Sequence, residues 1–222
     1  MLLITVAGGA GLILLSRRMR GTRRATQLSR GFAVLLLLIV LGFQLIWALP
    51  ANFSVDQSIP LQLSDVLRYV SVWALWSRRR LPVALTYFWA LTLNTQALLT
   101  PNLIVDIDPT LDFVAYWSMH ILVMWAALWL TWGLGLAPNW RDYRRSVLAT
   151  LGWAVVTVIF NLVAGTNYGY LNHKPVNPSM LDVMPRWPYY LIIELVLVAA
   201  VWALITWPWM IMRRRRRRTS PD

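Results

Sequence analysis

The sequence predicts an all-α polytopic membrane protein of seven transmembrane helices, the first one short. Three features predict it: scarce charge, apolar runs of membrane-spanning length, and a basic excess confined to alternate connections. The chain has 222 residues, of which 58% are hydrophobic and only 14% charged, with a mean hydropathy of +0.54. A soluble domain carries about 25% charged residues, so this chain has too little charge to cover a soluble surface. Disorder is excluded by the same figures, because a disordered chain is poor in apolar residues. The absence of Cys removes disulfides, a thiolate nucleophile and Cys-ligated metals together.

A bilayer core about 30 Å thick takes ~20 residues of apolar helix. Six runs meet that length: 31–49, 59–76, 81–99, 111–136, 147–164 and 189–212. A seventh, 1–15, reaches only ~23 Å at 1.5 Å per residue. Its positive charges follow the apolar stretch, which is the reverse of a secretory signal. Tilting against a partner, or a natural start upstream of Met1, accounts for its shortness.

The connections fix an orientation. The first holds Arg17, Arg18, Arg20, Arg23, Arg24 and Arg30; the third Arg78, Arg79 and Arg80; the fifth Arg141, Arg144 and Arg145. The tail adds the run that begins at Arg213 and ends at Arg218. The second and fourth connections carry only acids (Asp56, Asp106, Asp108), and the sixth only Lys174 and Arg186 as bases. Eighteen of the 21 bases thus fall on one side. Basic residues near helix ends stay in the cytoplasm, which places the N-terminus outside, the C-terminus inside and an odd number of helices between. The implied organisation is one transmembrane domain over residues 1–212, with an outer cap loop at 165–188 and a basic cytoplasmic tail at 213–222. That cap is the longest connection, and long connections in compact proteins are usually functional or disordered. The location follows as the plasma membrane, with membrane lipids as partners and anionic headgroups around the arginine tail. Six consecutive arginines also suit nucleic acid, but their place at helix ends on one side argues against it.

Given that orientation, the intramembrane polar residues converge on one depth, in the outer half. Gln62, Ser64, Asp65 and Arg68 lie on the second of the six long runs, Asn94 and Gln96 on the third, Asp112, Tyr116 and His120 on the fourth, Asn161 on the fifth, Tyr190 and Glu194 on the last. Ionisable groups in hydrocarbon are costly unless paired or wet. Asp65 and Arg68 are spaced i,i+3, and Asp112, Tyr116 and His120 every four residues, so each set shares a helix face. Packing by interhelical hydrogen bonds, about 0.6 kcal/mol each, explains single Asn or Gln residues. The convergence of Asp65, Arg68, His120 and Glu194 points instead to a polar cavity open to the outside. With two His in the chain and no spaced pair, no metal site and no cofactor is indicated. Nucleophilic catalysis needs a hydroxyl, a base and a group orienting the base; Ser64, His120 and one of Asp65, Asp112 or Glu194 are of those types.

The segments bearing these residues resemble a known family. Ile59-Pro60-Leu61-Gln62-Leu63-Ser64, Leu98-Leu99-Thr100-Pro101-Asn102, His120, the block Gly165-Thr166-Asn167-Tyr168-Gly169-Tyr170-Leu171 with Lys174-Pro175, and Trp187-Pro188-Tyr189-Tyr190 with Glu194 are similar to the YwaF-like integral membrane proteins of bacteria. The resemblance runs from Ile59 to about Pro208. It implies a relationship to a mammalian multi-pass acyltransferase of ether phospholipids, and more distantly to intramembrane lipid hydrolases that pair a hydroxyl with a His. His120 matches the family histidine, whereas Ser64 stands where relatives usually have Cys and Gln62 where they usually have His. Asn167, Tyr168, Tyr170 and Lys174 join the candidate binding residues through this block. The expected function is an intramembrane lipid acyltransferase or lipid hydrolase with Ser64 as nucleophile and His120 as base. Asp65 or Glu194 orients the His, and Arg68 holds an anionic headgroup or oxyanion. A non-catalytic lipid or small-solute binding or transport protein, and a structural subunit docked on another membrane protein, are the alternatives.

Overall fold

The computed structural model describes residues 1–101, 107–175 and 180–219; Asn102 and Asp106 lie outside them. Every regular element among them is helical. They are α1 (Leu2–Arg18), α2 (Arg23–Ala48), α3 (Leu63–Ser77), α4 (Arg80–Leu91), α5 (Leu93–Leu99), α6 (Pro109–Leu128), α7 (Trp140–Ala164) and α8 (Tyr189–Thr219). A π-helical turn, Trp129–Gly133, prolongs α6, and short 3₁₀ turns occupy Tyr168–Tyr170 and Met180–Val183.

Each apolar run contains a helix, and the bounds shift for local reasons: several move outward, while α3 starts only at Leu63 and the helix of the 111–136 run ends at Gly133. The first basic connection shrinks to a turn, because Thr22 Oγ1 accepts from the Ala25 amide and starts α2 at Arg23. Asn139 and Asp142 close a capping box that starts α7 at Trp140, so Arg141, Arg144 and Arg145 belong to its first turns. The third run breaks into α4 and α5 at Thr92, whose hydroxyl bonds back to the Phe88 carbonyl at 2.6 Å and accepts from Trp202 Nε1 of α8 at 3.2 Å. Such back-bonding bends helices.

Four stretches are long and apolar enough to cross a membrane: Arg23–Ala48, Pro109–Gly133, Trp140–Ala164 and Tyr189–Arg215. Their outer faces carry Leu38, Leu45, Leu162, Val163 and Val196, all exposed. Apolar surface on that scale has no place in water. The molecule is a multi-pass membrane protein.

The core forms around α4, in which every residue from Pro82 to Ala90 is buried. Phe88 of α4 stacks on Trp202 of α8, with centroids 4.9 Å apart, and Leu67, Leu75, Met119 and Leu130 close around them from α3 and α6. α1 lies against α6. Gly8 allows that close approach, since a Cβ on it would stand 2.2 Å from the Trp125 ring.

Most arginines gather at one end of the bundle, where several tie helices together. Arg17 of the last turn of α1 and Arg20 of the α1–α2 turn donate to the Trp132 carbonyl, at 3.2 and 2.6 Å, and Arg20 also to Gly133. The π turn leaves these carbonyls without helical partners. Arg213 donates to the Ala137 carbonyl, and Arg80 pairs with buried Asp142.

Candidate functional site

At the opposite end, the residues expected to form a cavity separate into two layers. The upper layer is the cap that follows α7. Asn161 ends that helix by folding the chain back: its Oδ1 accepts from the Tyr168 amide and the Thr166 hydroxyl, both at 2.8 Å, and its Nδ2 donates to the Tyr168 carbonyl. Tyr168, fully buried, then donates its hydroxyl to the Val55 carbonyl at 2.7 Å and accepts from the Ile59 amide at 3.1 Å. Gln62, at the start of α3, accepts from the Gly169 amide at 2.9 Å. Gly169 has a φ of +66°, and a Cβ there would stand 2.6 Å from the Trp153 ring. Asn167 folds the following turn through the Asn172 and His173 amides. Tyr190 anchors α8 by donating to the Tyr170 carbonyl, and Lys174 donates to the Met184 carbonyl at 2.7 Å. Asn161, Asn167, Tyr168, Tyr170, Lys174, Tyr190 and Gln62 therefore build and fasten the cap.

The lower layer lies among α3, α5 and α6. Asp65 and Arg68 form an ion pair at 2.8 Å, with side chains only 16% and 13% exposed. His120 is buried, with Nδ1 2.6 Å from the Tyr116 carbonyl and its ring 4.2 Å from that of Tyr116. A carbonyl only accepts, so Nδ1 carries the hydrogen and Nε2 keeps its lone pair. Asn94 Nδ2 donates to the His120 carbonyl at 3.0 Å, and the Tyr116 hydroxyl to the Ala97 carbonyl at 2.7 Å. α5, the segment beyond the Thr92 break, is thereby clamped to the His120 turn. Ser64 makes no hydrogen bond among the described residues. It lines a cavity of about 40 Å³ together with Leu67, Trp89, Leu93, Asn94 and Ala97, which is room for water and nothing larger.

Three expected site residues lie apart from this layer. Asp112, in the first turn of α6, accepts from the Ile107 and Asp108 amides just before the helix, whose N-cap is Asp108. Gln96 faces outward. Glu194 is half-buried on α8 within electrostatic reach of Tyr190. The i,i+4 spacing of Asp112, Tyr116 and His120 gives a shared helix face, but Asp112 lies at its very end, where amides compete for it. Sequence reasoning passed over Thr92, Trp153 and Trp202, which position these elements; a Thr inside an apolar run was the available signal. Among the described residues no three His, Cys, Asp or Glu come together to hold a metal.

Comparison with known proteins identifies the family. A family model, the TMEM164 family, matches residues 1–206. The chain belongs to the TMEM164 family. No curated protein and no solved structure matches it significantly. The TMEM164-family match takes in α1 and both layers of the polar end, a longer stretch than the resemblance that began at Ile59.

The cap rests on one phenol. Burial pushes the Tyr168 hydroxyl from the ordinary 10.0 up to about 12, against the pull of the Ile59 amide. Its pKa is raised on folding, so its contribution is complete below pH 10 and is lost as pH rises through about 12. Tyr168→Phe leaves the Ile59 amide without its acceptor and should cost about 1–3 kcal/mol. Thermal unfolding in detergent checks both: a lower midpoint at pH 7, and a shallower loss of stability above pH 10 than the parent shows.

Proposed function

We propose that this protein is an intramembrane enzyme of acyl lipids, an acyltransferase or a lipid hydrolase, with Ser64 as nucleophile and His120 as base. The observation that carries the reading is the state of His120: Nδ1 is tethered to a backbone carbonyl at 2.6 Å, so the ring is fixed with Nε2 as a base. In the proposed reaction Ser64 Oγ attacks the ester carbonyl of a lipid and its proton passes to His120 Nε2. The ester C–O bond breaks, and the leaving alkoxide takes that proton back. The acyl-serine is then released to a lipid hydroxyl in the transferase case, or to water in the hydrolase case. Arg68 supports the developing negative charge, and its bond to Asp65 holds it in place. Ser64 and His120 share no hydrogen bond among the described residues, and the proposed reaction requires α3 and α6 to come together around the substrate, as catalytic contacts often tighten only in the complex. The resemblance to YwaF-like proteins supports this chemistry; Ser in place of the usual Cys makes activation by His120 a stricter requirement.

The missing Ser64–His120 hydrogen bond also supports a second reading, in which the polar end binds a lipid or small solute without reacting with it. A serine-directed fluorophosphonate separates the two. Under the first reading the purified protein is labelled at Ser64, and the label disappears in Ser64→Ala and falls by about 10²-fold or more in His120→Ala. Failure to label the parent protein, or labelling that survives Ser64→Ala, contradicts it.

The alternation of charge supports seven crossings in a bacterial plasma membrane, with the capped end outside and the arginine end in the cytoplasm. A chain without Cys makes the test clean. Asp56→Cys should react with a membrane-impermeant maleimide in intact cells and Arg79→Cys only after lysis; the reverse pattern overturns the orientation.

A further inference from the structure

The cavity of about 40 Å³ beside Ser64 has a second polar residue in its wall. Apart from Ser64, Trp89 and Asn94, its lining is aliphatic. Trp89 has its one donor committed, Nε1 to Thr150 Oγ1 at 3.0 Å. Ser64 of α3 and Asn94 of α5 are left as the lining residues with polar capacity to spare. Asn94 is only 4% exposed, and among the described residues its amide makes one hydrogen bond, Nδ2 to the His120 carbonyl at 3.0 Å. Because a carbonyl only accepts, the nitrogen must be the atom that faces it. That nitrogen carries two hydrogens, and the His120 carbonyl takes one. Buried polar groups normally use their capacity, so the second N–H calls for a partner.

The size of the cavity says what that partner is. It admits one atom as large as the oxygen of water, and no headgroup or hydrocarbon chain. A reacting ester puts forward one such atom, its carbonyl oxygen, which becomes an oxyanion when a nucleophile adds to the carbonyl carbon. A donor already in place for that oxygen stabilises the transition state more than the ground state. Arg68 stands one turn beyond Ser64 on α3 and does not line the cavity. Its charge acts on the polar layer as a whole, whereas the Asn94 N–H acts on a single atom.

We infer that the Ser64 cavity is the oxyanion pocket of the proposed reaction, with Asn94 Nδ2 as its donor. The inference rests on the function proposed above. As the Ser64 Oγ–carbon bond forms, the C=O π pair moves onto the oxygen, which accepts from Asn94, and the Ser64 proton passes to His120 Nε2. On collapse that pair returns, the bond to the alkoxide breaks, and the alkoxide takes the proton from His120. The test compares para-nitrophenyl palmitate with its thionoester, in which sulfur replaces the carbonyl oxygen, as substrates of the full chain in detergent. Sulfur is larger and a weaker hydrogen-bond acceptor, so it gains little from this donor. Nitrophenolate release is followed. Asn94→Ala should lower kcat for the ester by about 10²–10³-fold with KM little changed, and for the thionoester by less than about tenfold. The ester-to-thionoester ratio should therefore fall at least ~10-fold. His120→Ala removes the base and should lower both substrates alike. Asn94→Leu removes the amide at similar volume and serves should Asn94→Ala not fold. If Asn94 only positions His120, both substrates fall equally. An unchanged ratio in the Asn94 variants thus overturns the inference and leaves Ser64 and His120 in their roles, whereas a parent protein that releases no nitrophenolate overturns both.

Discussion

A polar atom in hydrocarbon has no water to turn to, and the arrangement of this protein follows from that constraint. Where helices are regular, the backbone satisfies itself. At three departures from regularity among the described residues, a side chain supplies the missing partner. The carbonyls left by the π turn at Trp129–Gly133 are taken up by Arg17 and Arg20. The break at Thr92 is propped by the Trp202 indole. The chain reversal after α7 is held by the three bonds of Asn161. Much of the polar content of the molecule is therefore structural, and a functional group has to be sought among those left with spare capacity.

Few groups qualify. The Asp65–Arg68 pair neutralises itself, yet one bond at 2.8 Å uses only part of a guanidinium with five donors. His120 has one nitrogen committed to a carbonyl and the other uncommitted. Ser64 has a hydroxyl with no partner among the described residues and a water-sized cavity beside it. These three features lie on α3 and α6, and α5 binds the His120 turn in place. The cap is fastened to the start of α3 through Gln62, the N-cap of the helix whose first turn bears Ser64 and Asp65 and whose second bears Arg68.

Much of this was legible in the sequence. Apolar runs of bilayer length located the helices, and the alternation of arginines with acids sorted the connections into two ends. Spacing brought Asp65 to Arg68 and Tyr116 to His120. It did not anticipate Asp112 turning back to the Ile107 and Asp108 amides, or Gln96 facing outward, because periodicity gives a face and not the neighbour across from it. The π turn and the Thr92 break were illegible for the same reason: each depends on a partner more than 100 residues away in the chain. The arginines were read as an orientation signal alone, whereas Arg17, Arg20 and Arg213 also cap carbonyls, a use that only the packed structure reveals.

The central claim is that His120 acts as a base on a lipid ester in the membrane. It is tested most directly in proteoliposomes containing a phospholipid with one deuterated acyl chain and an unlabelled lysophospholipid acceptor, followed by mass spectrometry over time. The account predicts that the parent protein moves the deuterated chain to the acceptor or releases it as free acid, and that His120→Ala does so at least ~10²-fold more slowly. Equal rates for the two proteins, or no movement of the chain with the parent, would contradict it.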